Sequence, residues 1–289
     1  MDDLLATHFA HLFIRDPLVI FSEDLEELDL NKADHFENLQ STNWQHMRFK
    51  PPPPDKGDIG WRVEFRSMEV QMTDFENAAF SIFIVLVTRA ILSFDLNFYI
   101  PIQRTTENME TGHARNGVLD KKFYFRKDPF PRRVRKPQQH HHQSPNGSNL
   151  PSGGSSAVNT PPPSPPLGPV EMEYDLMTIS EIVNGSADGS SFPGLIPLVE
   201  SYLDSVNVDV ETRCSLAKYL DLIRKRADGR LWTEARWIRE FVAKHPAYKQ
   251  DSVVSEEICY DLVKAVDEMA VKEGKNGSVG WELLRGKMR

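Results

Sequence analysis

IGWRVEFRSMEVQ, residues 59–71, is the stretch on which the fold turns. Ile59, Trp61, Val63 and Phe65 fall on one side of an extended chain, and Arg62, Glu64 and Arg66 on the other. Period-2 alternation rich in aromatic and β-branched residues predicts a half-buried strand. The phase then slips, with Met68, Val70 and Met72 apolar at even positions. A one-residue bulge near Arg66 and Ser67 would return Glu69 and Gln71 to the polar face. The strand is therefore expected to turn its apolar face to a core. Its polar face supports two readings. One is a solvated surface with cross-strand ion pairs. The other is a ligand-facing sheet, offering a carboxylate to Mg²⁺ beside guanidinium forks for phosphate or carboxylate.

Working outward, 289 residues predict one large or two smaller domains. A net charge of -8 argues against nucleic acid as the main partner. Two cysteines, Cys214 and Cys259, make no disulfide framework, and a reducing cytoplasmic compartment is the simplest expectation. Asp2 and Asp3 follow Met1 where a signal peptide would be basic. The most apolar run, residues 78–87, is shorter than the ~20 residues of a membrane span and reads as a buried helix. The C-terminus (GKMR) carries no lipidation or retention signal.

Leu4, Leu5, Phe9, Leu12 and Phe13 recur at helical spacing up to Pro17. The chain thus opens inside a helix, as expected of one that begins partway through a larger protein. His8 and His11, three apart, read either as a metal pair or as interface histidines. Residues 22–34 are acidic and read as a solvated connection. Residues 35–50 pack aromatics, amides and cations into a stretch read as irregular. Trp44, Arg48 and Lys50 there are of the types that meet nucleotide rings and phosphates, or else form a core Trp with two surface cations. Four prolines, 51–54, form a polyproline spacer. Thr73 or Asp74 caps a helix running to about Phe94, apolar nearly all round and so expected to be buried. Arg89 within it wants a partner, with Asp95 nearest in sequence.

Residues 107–122 read as a polar helix and 121–127 as a short aromatic strand. The cations Arg126, Lys127, Arg132, Arg133, Arg135 and Lys136 read as a charged loop, with nuclear localisation or RNA binding as the other option. Residues 132–170 lack aromatics and apolar period and predict a disordered insertion. Residues 171–289 read as all-helical, with helices near 174–183, after Pro193, and near 210–227, 233–245 and 255–272. Cys214, after Arg213 in the first turns of its helix, is either thiolate-prone or structural. The division expected is thus 1–131, 132–170 and 171–289.

Several long strings carry a further signal. They are LATHFAHLFIRDPL (5–18), DHFENLQSTNWQ (34–45), MRFKPPPP (47–54), DIGWRVEFR (58–66), MEVQ (68–71) and TDFENAAF (73–80). FPGLIP (192–197), VETRCS (210–215) and HPAYKQDSV (245–253) continue them. Over nearly everything except residues 132–170, the chain resembles the C-terminal part of the catalytic subunit of eukaryotic glutamate–cysteine ligases, the first enzymes of glutathione synthesis.

The resemblance implies an α+β fold: part of a glutamine-synthetase-like antiparallel sheet funnel with packed helices. It implies ATP-dependent ligation of the L-glutamate γ-carboxyl to L-cysteine through a γ-glutamyl phosphate, with Mg²⁺. Glu64 is then the metal ligand, and Arg66 steadies phosphate or a substrate carboxylate. Trp44 lies beside the substrate pocket, and Arg48 and Lys50 lie on the nucleotide side. No residue is assigned to the chemical step itself. The resemblance also implies a regulatory subunit as partner, with the C-terminal helices and Cys214 as contact points. The family's other carboxylates and its pocket cysteines lie in an N-terminal half, so this chain alone is expected to be weakly active or inactive. The competing expectation is a truncated or pseudo-enzymatic chain that acts by binding the regulatory subunit.

Overall fold

The computed structural model describes residues 2–15, 22–25, 47–53, 55–68, 70–130, 172–186 and 192–276. It is a mixed helical and sheet structure with two small antiparallel sheets. Helix α1 (Asp3–Arg15) comes first. Strands β1 (Met47–Lys50) and β2 (Arg62–Phe65) form the first sheet. Helices α2 (Asp74–Phe94), α3 (Ile102–Gly112) and α4 (Gly117–Asp120) follow. Strand β3 (Lys122–Arg126) pairs with β4 (Tyr174–Thr178) in the second sheet. Helices α5 (Ile179–Asn184), α6 (Leu195–Ser205), α7 (Val210–Ala227), α8 (Glu234–Lys244) and α9 (Glu256–Asn276) complete it.

The helix starts follow from side-chain caps. Thr73 accepts from the Glu76 amide at α2, Asp209 from Thr212 at α7, and Thr233 from Arg236 at α8. Each satisfies an amide that a first turn leaves orphaned. Thr178 and Glu181 form a full capping box at α5. Gly185 and Gly194 hold positive φ where two segments cross. A Cβ on Gly185 would lie 2.3 Å from the Pro193 carbonyl oxygen, so only glycine permits the crossing.

Helix α2 is the spine. One side packs on α6 and α7, burying Ala79 with Ile196, Leu222 and Trp237 in one cluster. A second cluster joins Phe192, Met177 and Leu198 beneath the second sheet. A buried ionic group ties the layers together. Arg226 on α7 donates from Nη2 to Glu76 Oε1 on α2 at 2.6 Å and lies 3.7 Å from Glu234 Oε1 on α8. Glu234 in turn accepts from the Met72 amide at 3.0 Å. Removing one partner of such a group strands a buried charge.

Several expectations are corrected. The first strand is confined to Arg62–Phe65, because a 3₁₀ turn at Gly57–Ile59 and the positive φ of Gly60 precede it. No bulge forms, since the strand ends at Phe65. Its faces are reversed relative to expectation: Arg62 and Glu64 are half-buried, while Trp61, Val63 and Phe65 are exposed. Residues 47–50, read as irregular, form its partner strand. Helix α2 is not buried all round. Val85 and Leu92 are 58% and 74% exposed, and Arg89 lies on the same open side, needing no buried partner. At 21 residues α2 is long and apolar enough to cross a membrane by length and composition, although the apolar run within it was read as too short.

The polar helix expected over 107–122 is α3, a turn and α4. The C-terminal region is not all-helical. Residues 174–178, too short for their period to declare itself, are drawn into a strand by pairing with β3. Cys214 and Cys259 are both free and exposed, so neither belongs to a core. Residues 132–170 and Trp44 lie outside the described residues.

Candidate functional site

The antiparallel register of the first sheet sets Arg48 opposite Glu64 and Lys50 opposite Arg62. Directly opposed residues share a face, so these four side chains meet on one side of the hairpin. Arg66 follows the strand and turns back to the same place. Its Nε donates to Glu64 Oε1 at 2.7 Å, while Lys50 Nζ donates to Oε2 at 3.1 Å. Arg62 donates to the Pro51 carbonyl at 3.1 Å, anchoring the proline segment to the strand. Four cationic side chains thus surround one carboxylate.

The Arg66 side chain is 11% exposed and Glu64 35%, so the group faces solvent through the carboxylate rather than the guanidinium. The hydrogen bonds from Arg66 and then Lys50 lower the Glu64 pKa to about 2, so it is ionised at any neutral pH. The buried Nε atoms of Arg48 and Arg62 have no hydrogen-bond partner. Three positive charges remain after Glu64 takes one of the four. Such a face suits an anion with several oxygens, such as a phosphate chain.

Mg²⁺ is commonly held by one or two carboxylates, with phosphate oxygens and waters supplying the rest. Glu64 is a carboxylate of that type, ionised and partly open to solvent, with its two oxygens accepting from Arg66 and Lys50. Among the described residues no group of three His, Cys, Asp or Glu could hold a metal ion, so the chain's described part offers a ligand and not a shell.

The sequence-derived residues Glu64, Arg66, Arg48 and Lys50 are therefore brought together, and Trp44 lies outside the described residues. Alternation puts Arg62 on the polar face with Arg66, though the family resemblance assigns it no role, and residues 35–50, with Arg48 and Lys50, are expected to be irregular. The alternation of Met47 and Phe49 with Arg48 and Lys50 was the missed signal. The two N-terminal histidines form an interface. His8 Nδ1 lies 3.1 Å from Thr106 Oγ1 on α3, and His11 Nδ1 lies 3.9 Å from Glu110 Oε1. Burial and the neighbouring His11 lower the His8 pKa.

A family model described as glutamate–cysteine ligase matches residues 1–269. The chain is 67% identical over 287 residues to a glutamate–cysteine ligase of Neurospora crassa, covering 94% of this chain and 39% of that protein. It is 52% identical over 270 residues to the glutamate–cysteine ligase catalytic subunit of Rattus norvegicus, covering 93% and 39%. It is 48% identical over 266 residues to a glutamate–cysteine ligase of Schizosaccharomyces pombe, covering 92% and 35%. The chain thus spans about two fifths of the length of the curated relatives it matches.

Proposed function

The chain belongs to the glutamate–cysteine ligase family, and from that premise we propose that it carries part of an ATP-dependent ligase site that joins L-glutamate to L-cysteine in glutathione synthesis. The observation that carries this reading is the half-buried cationic face around an ionised Glu64. The proposed reaction has two steps. A glutamate γ-carboxylate oxygen attacks the terminal phosphorus of ATP, and ADP leaves. The cysteine amine then attacks the acyl carbon, phosphate leaves, and the nitrogen gives up a proton.

In this reading the chain's own residues bind and orient. Arg66 and Lys50 already converge on the Glu64 carboxylate and hold it ionised. Arg48, with a buried unpartnered Nε, supplies further charge to a phosphate chain. Glu64 would hold Mg²⁺, whose charge offsets that developing on the transferred phosphoryl group. We further propose a cytoplasmic location and a regulatory subunit as partner, in keeping with the name "catalytic subunit" carried by the mammalian relatives.

The test is Glu64→Gln in an active full-length relative or in the complete protein. Turnover is expected to fall by at least about a hundredfold, the scale at which one electrostatic contact to a reacting group is removed. Arg66→Gln should follow. Unchanged turnover at saturating Mg²⁺ would remove Glu64 from the site. The described part of the chain offers one carboxylate to the metal, so the 289-residue chain alone is expected to release little phosphate from ATP with glutamate and cysteine. Release that needs all three substrates would overturn that.

A second reading, a non-catalytic chain that binds the regulatory subunit, draws on the exposed apolar side of the hairpin, where Trp61 is 66% exposed. A folded chain that releases no phosphate but forms a complex with the regulatory subunit would favour it.

A further inference from the structure

Away from the hairpin, the turn between α3 and α4 faces helix α8 across two adjoining cavities of about 400 and 660 Å³. Their shared wall holds Arg115 and Asn116 from the turn and Arg236 and Arg239 from α8. None of the hairpin's candidate residues lines either cavity.

Among the described residues, the side chains of Arg115, Arg236 and Arg239 make no hydrogen bond or ion pair. Arg236 is nonetheless held in place: its guanidinium carbon lies 4.6 Å from the centroid of the Trp232 ring, which also lines the smaller cavity. The nearest acid on α8, Glu240, is already engaged by Lys244 at 3.0 Å. Arg226, deeper in the wall, is neutralised by Glu76 and Glu234. Three guanidiniums therefore line a recess whose one lining acid, Glu240, is already engaged by Lys244, in a chain whose net charge is -8.

We propose that this cleft binds a small molecule carrying several phosphoryl groups. Guanidinium forks match phosphate oxygens bidentately. Cavities of a few hundred Å³ suit a small molecule rather than a protein surface. Outside the hairpin, this recess gathers three guanidiniums in an otherwise acidic chain, and Arg236 is held in place by Trp232, so a polyanion finds a second cationic site here. The inference does not depend on the ligase reading, because it uses other residues.

The experiment is calorimetric titration of the purified chain at low ionic strength with sodium tripolyphosphate, ATP without metal, and citrate. Tripolyphosphate is expected to bind, more weakly as salt is raised. The Arg236→Gln/Arg239→Gln variant should weaken it by about tenfold or more, the scale of one or two charged hydrogen bonds. Arg115→Gln, in an exposed turn, should weaken it without touching the core. An Arg48→Gln/Arg66→Gln variant, which removes phosphate-binding charge from the hairpin, should keep a tripolyphosphate site that the Arg236→Gln/Arg239→Gln changes then weaken by about tenfold or more. ATP bound as well, and lost in the same cleft variants, would identify nucleotide as one form of the ligand. Absence of binding, binding untouched by the cleft variants, loss only in the hairpin variant, or citrate bound as tightly as tripolyphosphate would each overturn the proposal.

Discussion

The two sheets are built alike, each of two antiparallel strands, yet they place their side chains in opposite ways. In β3–β4, Phe123, Phe125 and Met177 pack around Phe192, with Phe125 and Phe192 ring centroids 5.0 Å apart. The outer edge of β3 is also covered. Asn108 on α3 donates to the Tyr124 carbonyl at 2.8 Å and accepts from its amide at 2.7 Å. In β1–β2 Met47, Val63 and Phe65 lie open, and order comes from Glu64, Lys50, Arg66 and the Arg62–Pro51 contact. An isolated two-stranded sheet is marginal in water. The difference teaches that the second sheet is part of the scaffold, while the first holds its shape by charge around the candidate site.

Three substitutions would break or sharpen that contrast. The largest effect is expected from Phe192→Ala, which empties the fully buried centre under β3–β4. It should cost ~3–5 kcal/mol in denaturant unfolding. A cost as small as that of a surface change would show that the second sheet is not scaffold. Thr178→Ala, at the junction of β4 and α5, removes one half of the capping box and should cost about 1 kcal/mol. The same measurement reads it, and the absence of any shift would mean that packing alone holds α5. The smallest effect belongs to Val63→Ser on the open side of β2, which should change stability by less than about 0.5 kcal/mol. A loss as large as that of Phe192→Ala would mean the open face is covered in solution and would erase the contrast.

Much of the scaffold was legible in the chain. The stripes of α6, α7 and α8 announced themselves at helical spacing, and Thr73 or Asp74 marked the start of α2, with Thr73 the cap observed. The β2 half of the hairpin's polar set was legible too, because alternation assigns Arg62 and Glu64 to one face whatever the strand's length. The strand at 174–178 was hidden. Five residues running directly into a helix show no clear period, and the pairing that makes them a strand comes from residues 122–126. The Arg226–Glu76 pair was equally hidden, since 150 positions separate its partners. So was the arginine cleft, whose two sides come from a turn and a helix more than 100 residues apart.

By itself the sequence determined the local matters: which segments coil, where caps start them, which residues share a face of β2, and which family the chain belongs to. These depend on neighbours within a turn or two, or on strings long enough to be specific. Only the tertiary structure decided which face of β2 is open, and that the polar face rather than the apolar one is the half-buried side. Alternation separates two faces but carries no information on what lies against either. It likewise decided that Glu64 is clasped by Lys50 and Arg66, and that Arg115, Arg236 and Arg239 look into one recess. Those arrangements are set by distances across the fold, which no local pattern encodes.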